Sequence, residues 1–226
     1  TKVIRKYEQP LMEKAGFVIL RGNLCDASVM KTSVISETFR KQYLSRPGQE
    51  NIFEVRAIVF DGPEDYHARI NNPSLEIDVN CILVIRGCGP VGYPGSAEVV
   101  NMQPPDALIK QGILELPTLG DGRQSGTSGS PSILNVSPES AVGGGLALLK
   151  TGDTIKIDLN QGSLDVMLDE SELDQRRNAI ESQQIEHQTP WQEIYRETVG
   201  QLSGGGIIEL AAKYKKIRNT IPRHSH

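Results

Sequence analysis

The sequence predicts an α/β fold in which a mixed β-sheet that can curl into a barrel is flanked by helices. Residues 55–60, 64–70 and 81–86 have the patterns of a strand, a short helix and a second strand, which together make a βαβ unit. Residues 154–159 alternate polar and apolar side chains, and 163–168 return after an Asn-Gln-Gly turn as an antiparallel partner. Parallel and antiparallel connections therefore occur in one sheet.

The composition changes at the end of this hairpin. Residues 169–226 are rich in Glu, Gln and Arg at helical spacing, so we predict a β domain at 1–168 and a helical tail at 169–226. The tail packs on the β domain or on a partner subunit. Within it, Trp191, Tyr195 and Val199 share one helical face and are expected to pack.

The other elements follow from apolar runs and from glycine and proline punctuation. They are strands at 17–20, 28–35 and 132–136 and a short helix at 104–111. Residues 36–51 are polar and are expected to form an exposed excursion. Residues 96–102 follow a glycine-rich loop and are expected to open a helix, with Glu98 in its first turn.

Charge and hydropathy exclude several functional classes. The net charge of −4 leaves no basic footprint for nucleic acid. No apolar run approaches the ~20 residues that cross a bilayer, and the first residues lack a signal-peptide apolar region. We therefore expect a cytoplasmic protein that does not bind a membrane. Because the chain begins at Thr1 without Met, we expect a domain of a larger protein or a processed chain.

The three cysteines form no Cys-x-x-Cys pair. Cys81 opens a strand and is expected in the core. Cys88 lies in a loop, which makes it the only one of the three considered as a ligand, although a lone cysteine is more often structural.

Two glycine-rich loops are the candidate functional segments. Residues 120–138 interleave glycines with hydroxyl side chains around Ser125, and 87–95 follow an apolar strand. Such loops can turn backbone amides toward an anion, but they are also typical of a flexible surface turn. Glu98, just after the second loop, is either a helix cap or an oxygen ligand for a divalent cation.

The loops together resemble a known family. The segments that carry the resemblance are 86–98, 120–127, 138–139, 143–144 and 152–155. They are similar to the C-terminal domain of the dihydroxy-acid dehydratase and phosphogluconate dehydratase family. The Tyr93 loop, residues 124–130 and the long tail resemble its sugar-acid branch, which dehydrates pentonates such as arabinonate or xylonate. The resemblance implies a β-barrel flanked by helices, related to the swivelling domain of aconitase.

The resemblance also implies roles for individual residues. Ser125 would be the base that removes the proton from C2 of a sugar acid, and Glu98 would bind the Mg²⁺ that holds the substrate. Thr127 would tune the serine or bind substrate, with Gly126 beside it, and Arg123 could supply charge. An iron–sulfur cluster, [2Fe–2S] or [4Fe–4S], would be held by an N-terminal domain rather than by this chain.

The function that the resemblance implies is a hydro-lyase that converts an aldonate into its 2-keto-3-deoxy acid. The N-terminal domain would be the partner, the full enzyme a homodimer or homotetramer, and the isolated domain inactive. The sequence departs from the family at Ser96, usually Met, and at 25–27. Two alternatives stay open: a dihydroxy-acid dehydratase of branched-chain amino-acid synthesis, and a non-catalytic anion-binding or regulatory domain.

Overall fold

Eight strands form the centre of the computed structural model, which describes residues 4–10, 16–125, 131–180, 186–212 and 214. The strands are β1 (Phe17–Gly22), β2 (Cys25–Lys31), β3 (Ile52–Asp61), β4 (Cys81–Arg86), β5 (Thr118–Gly120), β6 (Ser132–Ser137), β7 (Thr154–Asp158) and β8 (Ser163–Val166). They close into a barrel in the order β1-β2-β6-β5-β4-β3-β7-β8. The predicted α/β class and mixed barrel are confirmed.

Parallel pairing is concentrated on one side of the barrel. Strands β3, β4, β5 and β6 are parallel neighbours, and the register of the first pair runs from Arg56 opposite Cys81 to Asp61 opposite Arg86. The neighbours β1–β2, β2–β6, β3–β7 and β7–β8 are antiparallel, and one parallel bridge between β1 and β8 closes the ring. The carboxyl ends of β3, β4 and β5 therefore meet at one rim of the barrel, where ligands commonly bind in sheets of this kind.

Helices cover the outside of the barrel and form the tail. They are α1 (Glu37–Phe39, continued by a π-helical turn at Arg40–Leu44), α2 (Gly62–Arg69), α3 (Asp106–Ile109), α4 (Glu170–Asn178), α5 (Pro190–Thr198) and α6 (Glu209–Ala212). Helix α2 connects β3 to β4, which confirms the predicted βαβ unit. No helix among the described residues has the length and apolar character needed to span a bilayer.

Strand β4 is buried on both faces, as its continuous apolar run predicts. Ile82 and Val84 belong to a core cluster with members from all eight strands, which is the barrel interior. Leu83 and Ile85 belong to a second cluster outside the barrel, together with Tyr66 of α2 and a leucine of α3. Two cores thus hold the β3–α2–β4 unit in place.

The prediction of an exposed excursion at 36–51 holds for most of the segment but is wrong for Phe39, Tyr43 and Leu44, which are buried. The Ser36 hydroxyl caps α1 by accepting a hydrogen bond from the Phe39 amide at 3.0 Å. Phe39 and Tyr43 are buried, and both rings pack against Phe53 inside the barrel. Four-residue spacing places the two rings on the same side of the helical turn, so they anchor a segment whose polar residues are mostly exposed.

Two strands also differ from the sequence prediction. Strand β2 begins at Cys25 and ends at Lys31, where a 3₁₀ turn at Thr32–Val34 replaces the expected continuation to residue 35. Strand β5, at 118–120, is absent from the prediction. Three residues carry too little pattern to be recognised, and this strand exists because β4 and β6 pair with it on both sides.

The first tail helix packs on the barrel. Leu173 of α4 is buried, and the Arg176 guanidinium reaches Asp153 at 2.5 and 3.0 Å and the Leu148 carbonyl at 2.9 Å. These contacts fix α4 against the β6–β7 connection. The division into domains at 168/169 stays a prediction.

The second tail helix is more exposed than its pattern indicates. Trp191 is 78% exposed, whereas Val199 is buried. The expectation of packing is therefore wrong for Trp191 and holds for Val199. A third tail helix is present as α6, and most residues beyond it lie outside the described part of the chain.

Candidate functional site

A buried aspartate organises the rim at the ends of β4 and β5. Asp121 directly follows β5 and has no exposed surface. Its carboxylate accepts hydrogen bonds from the amides of Gly87 (3.0 Å), Cys88 (2.9 Å) and Ser140 (2.9 Å) and from the Ser140 hydroxyl (2.6 Å). One side chain therefore ties together the loops after β4, β5 and β6, and its charge is met by four donors.

We expect Asp121→Ala to destabilise the chain by about 2–4 kcal/mol, because the amides of Cys88 and Ser140 and the Ser140 hydroxyl would lose this acceptor, and the Gly87 amide would keep only the Ser140 hydroxyl. Urea unfolding of the variant measures this loss. Asp174→Ala is the matched control, since Asp174 lies exposed on α4 in a surface ion pair with Arg177 worth at most about 1 kcal/mol. Equal effects of the two substitutions would contradict the role given to Asp121.

A second buried carboxylate holds the middle of the loop after β4. Glu139 has no exposed surface, and its oxygens accept from the amides of Val91 (3.0 and 3.1 Å) and Gly92 (2.9 Å). Burial raises the pKa of this carboxyl above its usual range. Gly89 is required beside it, because a Cβ at that position would lie 2.4 Å from the Glu139 Oε2 atom. The glycine-rich loop is thus a tightly held structure rather than a free surface turn.

Glu98 lies in an extended segment and not in the helix that the sequence predicts. It forms an isolated parallel bridge with Arg123, and the Arg123 amide donates to the Ala97 carbonyl at 2.9 Å. Gly122 permits this approach, since a Cβ there would lie 2.9 Å from the Ala97 oxygen. Ser96 precedes the segment with a φ of 56°, outside the helical region, which explains why no helix starts here.

The bridge brings the two predicted site segments together. Ser125 lies two residues beyond Arg123, so its backbone is at most about 7 Å along the chain from the residue opposite Glu98. The Glu98 carboxylate is 3.6 Å from the Arg123 guanidinium, and both side chains are about half exposed. Ser125 itself is half-buried. Gly126 and Thr127 lie outside the described residues.

Exposure makes Glu98 the carboxylate that is available for a ligand. The carboxylate oxygens of Asp121 and Glu139 accept hydrogen bonds from loop amides. The ionic partner of Glu98, in contrast, is an exposed arginine at 3.6 Å. A single carboxylate is a partial donor set for Mg²⁺, which takes about six oxygens. Among the described residues no group of three or more His, Cys, Asp or Glu side chains could hold a metal ion. Glu98 fits one ligand of a site completed by other groups.

The cysteines do not fit a metal or cluster site. Cys25, Cys81 and Cys88 are all buried in the described structure. Burial raises the pKa of the Cys88 thiol to about 12, so it stays protonated near neutral pH. Cys81 lies in the core as predicted. Cys88, the one cysteine considered as a ligand, packs in the second core cluster instead.

A wide cleft of about 1030 Å³ lies between this rim and α4. Its charged and aromatic lining includes Arg86, Tyr93, Lys150 and Arg176. Arg86 is fixed there by Asp61 at 2.7 Å and by three backbone carbonyls. Ser125 and Glu98 are not among the lining residues, so the cleft and the two predicted site residues are separate parts of the rim.

Comparison with known proteins identifies the family. The family model for the C-terminal part of dihydroxy-acid/6-phosphogluconate dehydratases matches residues 2–206. The chain belongs to this dehydratase family. The match covers the barrel, α4 and α5, and the resemblance seen in the two glycine-rich loops is thereby confirmed.

Among relatives in the dehydratase family, D-xylonate dehydratase of Caulobacter vibrioides is 62% identical over 225 residues, covering 100% of this chain. L-Arabinonate dehydratase of Rhizobium leguminosarum is 41% identical over 77% of the chain, and dihydroxy-acid dehydratase of Clostridium kluyveri is 35% identical over 92%. The chain spans only 38%, 28% and 35% of the lengths of these three proteins.

Sequence reasoning found the segments of this dehydratase domain but missed its buried carboxylates. Asp121 and Glu139 lie within the quoted motifs, yet no role follows from their spacing. For Asp121 the available signal was its placement between Gly120 and Gly122, since a buried loop carboxylate needs close backbone donors, whereas Glu139 follows a proline and has no glycine beside it. The roles of Ser125, Gly126, Thr127 and Glu98 stay predictions.

Proposed function

We propose that this chain is the C-terminal domain of a sugar-acid dehydratase that acts on D-xylonate or a closely related aldonate. The observation that carries the proposal is the 62% identity to a D-xylonate dehydratase over the whole chain, against 35% to a dihydroxy-acid dehydratase. Because the chain spans 38% of that relative, the activity belongs to a longer protein that includes an N-terminal part.

In the proposed reaction, Ser125 Oγ takes the proton from C2, and the 3-hydroxyl takes up one proton and leaves as water, which balances the proton that the serine gained. The enol then ketonises to the 2-keto-3-deoxy acid by moving its 2-hydroxyl proton to C3. A serine base requires surroundings that stabilise its charged form. The Arg123 guanidinium, two residues away, and the amides of the glycine-rich loop are proposed to do so. Thr127 and Gly126 are proposed to contact the substrate next to Ser125.

Glu98 is proposed to give one oxygen ligand to Mg²⁺, with the remaining ligands and the iron–sulfur cluster held by the N-terminal part. When bound, these groups supply Lewis-acid stabilisation of the substrate carboxylate and of the departing hydroxyl. Glu98 suits this role because its carboxylate is about half exposed.

The test is turnover by the full-length protein of D-xylonate, L-arabinonate and 2,3-dihydroxyisovalerate. We expect the highest kcat/KM for D-xylonate, with the 226-residue chain alone giving no turnover. Preference for the dihydroxyisovalerate would support the branched-chain alternative instead. Binding without turnover of any of the three by the full-length protein would favour a non-catalytic domain.

A further inference from the structure

The tail returns to the rim after α5 and contacts the buried Glu139. The Gln201 side chain donates from Nε2 to Glu139 Oε1 at 2.8 Å and accepts from the Glu139 amide at 2.8 Å. Beside it, the hydroxyls of Ser203 and Ser137 are 3.0 Å apart. The Gln201 amide can adopt only one orientation, because a carboxylate accepts and a backbone amide donates.

The same carboxylate holds the glycine-rich loop after β4. Val91 and Gly92 donate their amides to Glu139, so its oxygens are shared between this loop and the tail. Gly92 is buried, and Val91 is partly buried. Because burial already disfavours the charge of Glu139, the Gln201 donor is one of the groups that offset the cost of keeping it ionised.

The position of the 87–95 loop affects the position of Glu98. Its two ends are fastened together, since the Tyr93 amide donates to the Gly87 carbonyl at 2.8 Å and the Ser96 amide donates to Cys88 at 2.9 Å. Two residues after Ser96 comes Glu98. The 87–95 loop, which contacts Glu139 and precedes Glu98, is therefore closed by these hydrogen bonds. A shift of Val91 and Gly92 in its middle would move the end that leads to Glu98.

We propose that Gln201 is a positioning residue, which acts through Glu139 to fix the 87–95 loop and thereby the location of Glu98. This inference rests on the proposed function only in giving Glu98 a catalytic purpose. The tail then supports the site, and the proposed role of Gln201 and Glu139 requires no contact with substrate. Removing the pairing should loosen one loop and leave the barrel intact.

An exchange of the two side chains tests the pairing. Glu139→Gln alone sets an amide nitrogen against another donor in either orientation, and Gln201→Glu alone sets two carboxylates against each other. In the double variant Glu139→Gln/Gln201→Glu, the new amide can donate to the new carboxylate while its oxygen, in the place of Oε2, accepts from Gly92 and Val91, and only the second contact of Val91, with Oε1, is lost. Each single variant is thus mismatched and the double variant is matched.

Hydrogen exchange of the Val91 and Gly92 amides is the first measurement. We expect exchange to be faster by about tenfold or more in each single variant and to return toward the wild-type rate in the double variant. Ile157, in the barrel interior, is the internal reference and should change little. Gln175→Glu, on the exposed side of α4, is the control for an added charge and should change neither loop amide.

Turnover of D-xylonate by the full-length enzyme is the second measurement. We expect kcat/KM to fall about tenfold or more in the single variants and to recover in the double variant. Gln201→Asn, which shortens the side chain without adding charge, should lower it in the same direction and covers the case in which a charged variant does not fold.

The proposal would be overturned by unchanged exchange at Val91 and Gly92 in the single variants, or by a double variant no better than the singles. An equal rise in exchange at Ile157 would also overturn it, because that marks global destabilisation. The exchange measurement needs no turnover. If the wild-type enzyme fails to dehydrate any aldonate, the proposed function fails while the pairing is still tested.

Discussion

Ser125→Ala in the full-length enzyme is expected to lower kcat for D-xylonate by about 10²–10⁴-fold, the usual contribution of a positioned acid–base group. KM should change little, because the hydroxyl is proposed to act on the C2 proton and not to provide most of the binding. Steady-state kinetics of the purified variant measure both constants. Substrate binding should persist, and binding of Mg²⁺ should be unchanged, since Glu98 remains.

Ser171→Ala is the matched control, because Ser171 lies exposed on α4 and alanine is well tolerated in helices. It should leave kcat at the wild-type value. Turnover that survives Ser125→Ala within a factor of about two would remove this serine from the chemistry and assign proton removal to another group. Loss of both substrate binding and turnover would indicate that Ser125 maintains the structure of the loop and does not remove the C2 proton.

The sequence predicts those parts of the fold whose pattern is local. The apolar run of β4 and the alternation of β7 are direct consequences of two-sided and one-sided burial, and both strands lie where they are predicted. Strand β5 could not be predicted, because three residues gain their conformation from two neighbours distant in sequence. The burial of Phe39 and Tyr43 could not be predicted, because most of the residues around them in the sequence are polar.

The candidate site shows the same limit. Ser125 and Glu98 were identified through motifs that resemble a family, and the bridge to Arg123 then brings their segments together. That bridge joins residues 25 positions apart. The residues next to Glu98 therefore could not indicate that this segment is extended rather than helical. Most partners of Asp121 and Glu139 are backbone amides of other loops, and which amides come within reach depends on how those loops fold.

Three acidic residues of the rim, Asp121, Glu139 and Glu98, divide into two kinds by their surroundings. Asp121 and Glu139 are buried and saturated by amide donors, which makes them structural. Glu98 is about half exposed beside Arg123, and a surface ion pair of this kind contributes at most about 1 kcal/mol to stability. Replacement of Glu98 should therefore reduce activity far more than it reduces the stability of the fold.

Glu98→Gln is expected to weaken Mg²⁺ binding to the full-length enzyme by about 100-fold or more, because even a residue next to a metal ligand is worth about 10–100-fold. The amide keeps the shape of the side chain but loses the charge that a hard cation prefers. Activity should fall with it and recover in part when the Mg²⁺ concentration is raised. Titration of the metal-free enzyme with Mg²⁺, followed by calorimetry and by turnover, measures both.

Glu54→Gln controls for the loss of one acidic charge, since Glu54 is exposed on β3 opposite Lys156 and belongs to neither loop. It should leave Mg²⁺ affinity unchanged. The comparison with Ser125→Ala separates the two roles, because that variant should lose turnover at every Mg²⁺ concentration, whereas Glu98→Gln should respond to added metal. If Glu98→Gln binds Mg²⁺ as tightly as the wild type, Glu98 is the surface partner of Arg123 and not a metal ligand.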